Sequence, residues 1–320
     1  MKTFLLGSVV VVALTASAAN AADMGVKPIY KAPPPPPAAV WVWEIGARYW
    51  YSSGKNAFDY FTDPTPALRI SRLDYNDLKA HSGEAFFRVD GPIGIFVKGY
   101  IGGGKIVGGN LFDEDFPPAF VPYSKTISDA KGNLDYANID LGYSFFDGRG
   151  AASGPAVRLG AFVGYHYWHE KVDAFGCSQI GGGTVCAGAN ALPTSVKVIT
   201  EEDKWKAFRV GGVVDLWFTR DLKLTAEAAY ARVWQNPLDI HYFTFGPDPA
   251  SGDGHGVHVE AVLSYQVTYL FNVGVGGRWW HYETDAIDRF NQLLKYKTDR
   301  YGVFLQGSLK FGDPVVVAKN

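Results

Sequence analysis

Alternation of apolar and polar residues is the dominant pattern between Trp41 and Phe311. Near the C-terminal end Tyr301, Val303, Leu305, Leu309 and Phe311 share one face of an extended segment, and Gln306, Ser308 and Lys310 share the other. The segment before it repeats the pattern, with Phe271, Val273, Val275 and Trp279 opposed to Asn272, Gly274, Gly276 and Arg278. Leu222, Leu224, Ala226 and Tyr230 likewise oppose Lys223, Thr225 and Glu227. Successive side chains of a strand point to opposite faces, so a period of two marks strands with one apolar and one polar side. Such strands, about ten residues long, suit a barrel wall between lipid and a polar lumen. A soluble sandwich alternates in the same way, so the choice between them rests on the leader described below and on the aromatic strand ends.

The pattern predicts strands at 41–52, 68–90, 93–106, 131–147, 154–172, 199–218, 221–243, 254–266, 268–284 and 296–311. Short turns at Asp90-Gly91-Pro92, Asp147-Gly148 and Thr219-Arg220-Asp221 alternate with longer connections near 53–67, 107–130, 173–198, 244–253 and 285–295. An even strand number with short turns at one end and long loops at the other is the layout of a bacterial outer-membrane barrel. The expected fold class is therefore all-β, a ten-stranded antiparallel transmembrane β-barrel with long extracellular loops.

The flanking segments divide the chain further. Residues 1–21 read as a signal peptide, with Lys2 at its start, an apolar core from Phe4 to Leu14 and a small-residue cleavage site at Ala19-Asn20-Ala21. Residues 22–40 form a linker with consecutive prolines from Pro33 to Pro37, residues 41–312 the barrel, and residues 313–320 a tail. No later apolar run approaches the roughly 20 residues a membrane helix needs. A net charge of −2 offers no basic excess for nucleic acid. Cys177 and Cys186 are the only cysteines, and in an exported chain they are expected to form a disulfide closing a small loop. A zinc site would want four such ligands, and no histidine neighbours this pair.

Two short motifs bring chemistry into the picture. Asp113-Glu114-Asp115 and Asp239-Ile240-His241 each place two ionisable side chains at i and i+2, on one face of a strand. Two carboxylates and a carboxylate-oriented imidazole are the parts needed to activate water. On spacing alone each motif is an ordinary polar pair. Asp239 and His241 share the parity of Lys223, Thr225 and Glu227, the inward face. Asp113 and Asp115 instead share the parity of Ile95, Val97 and Ile101, the outward face. An inward pair there requires a bulge, for which the glycines at 102–104 and 108–109 offer a place. The same four residues are also a conceivable divalent-cation set. His255 and His258, at i and i+3, face opposite sides and are expected to be solvated at the rim.

In their context these motifs resemble the omptin family of outer-membrane endopeptidases, ten-stranded barrels with an active groove in the extracellular mouth. Gly108-Gly109-Asn110-Leu111-Phe112-Asp113-Glu114-Asp115-Phe116 is similar to the family's glycine-rich approach to its Asp-x-Asp, and Asp239-Ile240-His241-Tyr242 to its Asp-x-His. Ser53-Gly54-Lys55, Ile70-Ser71-Arg72-Leu73-Asp74-Tyr75, and Leu134-Asp135-Tyr136-Ala137-Asn138 with Asp140 carry further likeness, over roughly residues 44 to 311. The resemblance implies catalytic roles for Asp113, Asp115, Asp239 and His241. It implies direct attack of water on a peptide or protein substrate, with neither a metal nor another cofactor in the reaction and lipopolysaccharide as activating lipid. It further implies a monomer in the outer membrane of a Gram-negative bacterium, with the site facing the exterior. Many members read basic residues with acidic groups. Here Pro237 stands at one such position, and the other aligns with Phe58 or Asp59, which makes Asp59 a candidate substrate contact. The alternative function is a non-enzymatic barrel serving adhesion, structure or passive uptake.

Overall fold

The computed structural model describes residues 41–62, 68–116, 123–149, 155–244 and 246–312. The expected signal peptide, the proline-rich linker and the C-terminal tail lie outside these residues. Ten strands follow one another: β1 (Val42–Phe61), β2 (Arg69–Asp90), β3 (Ile95–Asp115), β4 (Ser124–Asp147), β5 (Ala156–Gly182), β6 (Leu192–Trp217), β7 (Leu222–His241), β8 (Gly246–Gln266), β9 (Phe271–Asp288) and β10 (Leu293–Phe311). Each pairs antiparallel with its chain neighbours, and β1 closes on β10 from Trp43 opposite Phe311 to Phe61 opposite Leu293. Closure pairs the backbone groups of every strand with a neighbour, the condition for crossing hydrocarbon with strands.

The wall has two tiers. Around the short-turn end Ile45, Leu141, Val163, Val210, Val275 and Leu305 point outward and are exposed, with Tyr49, Tyr165, Trp279 and Tyr301 along the upper margin. A continuous apolar belt of this kind, edged by aromatic rings, is a lipid-facing girdle. Above it the outward positions change to Lys79, Lys105, Lys131, Lys204, Lys206 and Lys297. The strands nevertheless continue. β1 has 20 residues and β5 has 27, against the about 9–11 that a spanning strand requires. Much of what the alternation marks as connection near 53–67, 107–130, 173–198 and 244–253 is therefore strand. Above the belt the outward face turns polar while Leu73, Tyr75, Leu111 and Val172 are buried inside, so the apolar side of the wall switches faces while the hydrogen-bonded ladder persists.

The parity conflict on β3 is resolved by a bulge. Inward positions are even up to Ile106, which is 2% exposed, and odd from Leu111, which is 1% exposed. The pairing with β4 steps from Ile106 opposite Gly132 to Asn110 opposite Asp129, which places one extra β3 residue at Gly108–Gly109. The neighbouring β2 bulges at the same level, where Asp77 has φ 54°. A Cβ on Gly109 would stand 2.8 Å from the Asn76 carbonyl oxygen, so the close approach of the two bulged strands demands glycine there.

The lumen is filled. Trp50, Tyr136, Trp168, Trp205, Trp280 and Tyr282 are buried and pack ring against ring, with centroids 4.4 Å apart for Trp168–Trp205 and 4.9 Å for Trp50–Trp280. Below this layer Arg48, Lys98, Arg209 and Arg278 interlock with Glu84, Asp140, Glu227 and Glu260. Opposite charges in equal number make such burial tolerable, because each ion exchanges water for a fixed partner. His258 belongs to this interior rather than to a solvated rim: it is 3% exposed, while His255 lies on the outer face. Arg209 Nη1 donates to His258 Nδ1 at 2.9 Å, and Tyr282 Oη lies 2.8 Å from both His258 Nε2 and His166 Nδ1. The arginine fixes His258 as the Nε2–H tautomer, which donates to Tyr282 and leaves the tyrosine proton for His166.

Candidate active site

The unbroken pairing of β6 with β7 carries the inward parity of Glu227 through to Asp239 and His241 at the upper end of β7. His241 Nε2 lies 2.9 Å from Asp239 Oδ2. Asp239 itself is 1% exposed, flanked across the ladder by Glu201 of β6 and Asp248 of β8, which are also buried. The β3 bulge turns Asp113 and Asp115 to the same inward face as Leu111, and both carboxyls are half-buried. All four residues stand above the girdle, at the end where the lysines replace lipid-facing side chains.

The two pairs feel each other's charge. Burial, then the neighbouring Asp115 carboxylate, raises the Asp113 pKa to about 7, with the His241 ring pulling in the opposite direction. Burial raises Asp115 as well. Burial alone would lower the His241 pKa. The hydrogen-bonded Asp239 carboxylate, aided by Asp113 and Asp115, more than offsets this and raises it. The mouth thus holds an imidazole that keeps its proton longer than usual and a carboxyl poised to be protonated at neutrality. Such matched groups are what general acid–base work on water and a carbonyl needs.

More acid lies just beneath. Burial and the neighbouring Asp203 and Asp239 carboxylates push Glu201 well above the usual carboxylate range. Burial raises Asp203 to about 7, although Asn56 and Gln235 each donate to it at 2.6 Å. Sequence reading passed over both, yet they share the parity of Trp205, Ala207 and Arg209 on β6 and so were bound to face inward. Among the described residues no group of three or more His, Cys, Asp and Glu side chains is arranged to hold a metal ion.

Asp59 does not join this site. Its β1 neighbours Phe58 and Tyr60 point inward and are buried, so Asp59 faces out. There Arg72 clamps it through Nε at 2.7 Å and Nη2 at 3.0 Å, with Arg69 at 3.2 Å. The outward parity and this double pairing exclude it as a groove residue, which leaves Phe58 and Pro237 as the inward positions. Cys177 and Cys186 are joined by a disulfide at the top of β5.

No protein-family model matches the chain, and no curated protein matches it. Among solved structures, the outer membrane protease OmpT from Escherichia coli superposes with a TM-score of 0.63 at 18% identity, over 85% of this chain and 97% of that one. Two autotransporter barrels align more loosely. The transport unit of AIDA-I from Escherichia coli has a TM-score of 0.33 at 12% identity, over 89% and 92% of the two chains. The translocator domain of NalP from Neisseria meningitidis has 0.28 at 9%, over 81% and 88%. At these identities the likeness speaks for architecture alone: the chain has an outer-membrane β-barrel fold similar to that of OmpT.

Proposed function

We propose that the chain is an endopeptidase that hydrolyses peptide bonds at the mouth of the barrel, with a water activated between the Asp113/Asp115 pair and the Asp239–His241 dyad. The observation that carries this reading is the convergence of both pairs on the inward face above a filled lumen. Asp239 holds Nε2–H of His241, so Nδ1 is the nitrogen that takes the proton from water. The neutral Asp113 carboxyl donates a hydrogen bond to the carbonyl oxygen and to the oxyanion that develops on it, and Asp115 orients the water. Attack is direct, without a covalent intermediate. The likeness to a protease in architecture supports the reading, and the aromatic fill of the lumen speaks against passive uptake. The site faces the exterior of a Gram-negative outer membrane, and the protein acts as a monomer on peptides or proteins. Lipopolysaccharide is the activating lipid in this reading, and the outward lysines above the apolar belt suit an anionic headgroup.

The test is cleavage of a peptide library by refolded protein with lipopolysaccharide, comparing wild type with His241→Ala and Asp113→Asn. Cleavage by wild type alone is expected. A wild type that cuts nothing would leave a non-enzymatic barrel, and variants that cut equally well would remove this site as the source of cleavage.

The pH dependence follows from the two shifts. His241 must be neutral, so activity rises as pH passes its raised pKa, above the ordinary 6.5. Asp113 must keep its proton, so activity declines above about pH 7. A narrow bell around neutrality is expected in kcat/KM. A wild-type profile that climbs steadily to pH 9 would contradict the assignment of Asp113 as the acid.

A further inference from the structure

We infer that Tyr60 is a positioning residue for this site, fixing the Asp239 carboxylate and, through it, the His241 ring. The inference rests on the endopeptidase reading for its catalytic meaning, while the geometry it draws on stands apart from that reading. Tyr60 lies near the upper end of β1 and is 6% exposed. Its hydroxyl crosses the mouth to β7 and donates to Asp239 Oδ2 at 2.9 Å, the same oxygen that receives His241 Nε2 at 2.9 Å. One carboxylate oxygen therefore holds two donors from opposite walls of the barrel. Asp239 Oδ1 is buried without a hydrogen-bond partner, so its sister oxygen carries the contacts that set the angle of the group.

The tyrosine is itself held by its ring, which packs edge-on against Phe58 with centroids 5.7 Å apart, and Phe58 stacks on Tyr296 at 4.6 Å. Burial, then the Asp239 carboxylate, pushes the Tyr60 hydroxyl well above the usual phenol range, so it stays a donor at any pH at which the site works. The other titratable groups around the trio are Glu201 of β6 and Asp248 of β8 beside Asp239, Asp113 and Asp115 of β3 beside His241, Tyr75 of β2, and Tyr296 of β10. None of these replaces the Tyr60 hydroxyl, because Tyr296 donates to Glu201 instead, at 3.4 Å.

Sharing Oδ2 with Tyr60 draws negative charge away from His241. Without the hydroxyl the Asp239 charge falls more fully on the imidazolium, and the ring, no longer braced from two sides, turns more freely. Tyr60→Phe keeps the ring packing and removes only the donor. In the refolded full chain with lipopolysaccharide, the His241 imidazole, identified by the resonance that His241→Ala deletes, is titrated by NMR. The midpoint in Tyr60→Phe is expected to rise by about one pH unit, the size that losing a hydrogen bond to a charged group implies. In an Asp239→Asn background the same substitution should leave the midpoint unchanged. For peptide cleavage kcat should fall roughly tenfold with KM nearly constant, and the acid limb of the pH profile should move up with the midpoint.

A midpoint that stays or falls in Tyr60→Phe, or one that rises equally in the Asp239→Asn background, overturns the inference. If the midpoint behaves as expected but wild type cleaves no peptide, the endopeptidase reading fails while the coupling stands. If wild type cleaves, His241→Ala does not, and Tyr60→Phe matches wild type in both titration and rate, the positioning role fails and the endopeptidase reading stands.

Discussion

Replacing His241 with alanine is expected to lower kcat for peptide cleavage by roughly 10²–10⁴-fold, the span over which a positioned general base contributes. KM should change little, because the imidazole acts on water rather than on the bound chain. The hydrogen bond from His241 Nε2 to Asp239 makes a second arm of the same experiment possible. Asp239→Asn keeps the shape but presents an amide that can turn its NH₂ toward the ring. That favours the wrong tautomer, and the loss should approach that of His241→Ala. The double variant should then be little worse than either single one, since the two residues act as a unit. Additive losses in the double variant would mean that they do separate jobs and that the dyad is not the base.

The largest effect on stability is expected at Arg278. Its guanidinium is 3% exposed inside the girdle, 2.7 Å from Glu84 and 2.6 Å from Glu260, and it lies 4.3 Å over the Tyr100 ring. Arg278→Ala strands two buried carboxylates with Arg48 as their common partner. Breaking one member out of a buried ion network costs about 3–5 kcal/mol, far more than the network contributes relative to an apolar core. Urea unfolding of barrel refolded into lipid vesicles would measure it. Adding Glu84→Gln to Arg278→Met should recover a good part of the loss, because it removes the charge left without its partner. A cost below about 1 kcal/mol, the worth of a surface pair, would show that water reaches the cluster and that the lumen is looser than its packing indicates.

How much of this was legible in the chain differs between the tiers. Where the outer face meets lipid, each outward residue must be apolar and each inward one polar or aromatic, so the parity of Val273, Val275, Val303 and Leu305 declared both strand and orientation. Above the bilayer the apolar side of the wall moves from the outer to the inner face, and the upper ends of β1, β3, β5 and β6 were read as connections although their ladders continue. The inward turn of Asp113 and Asp115 was conditional on a bulge. Gly108–Gly109 marked the place, but the matching kink at Asp77 on β2 is a tertiary fact. Asp59 was misplaced because a motif alignment uncertain by one residue exchanges the two faces of a strand. Tyr60 shows the converse limit. Its parity with Trp50 and Phe58 made it inward-facing, but only barrel closure tells which wall it reaches.

The disulfide between Cys177 and Cys186 has a practical consequence. Residues 183–185 lie between its two ends, past the end of β5 at the tip that leads to β6, and the ring holds both ends of any sequence placed there. A guest segment grafted into the ring starts from an already closed loop, and lengthening such a loop adds only about 0.6 kcal/mol per doubling. The charged cluster of Arg48, Lys98, Arg209 and Arg278 lies in the other tier, so the graft would not disturb it. The barrel is thereby a scaffold on which foreign peptides can be carried in a closed loop at one end of the wall.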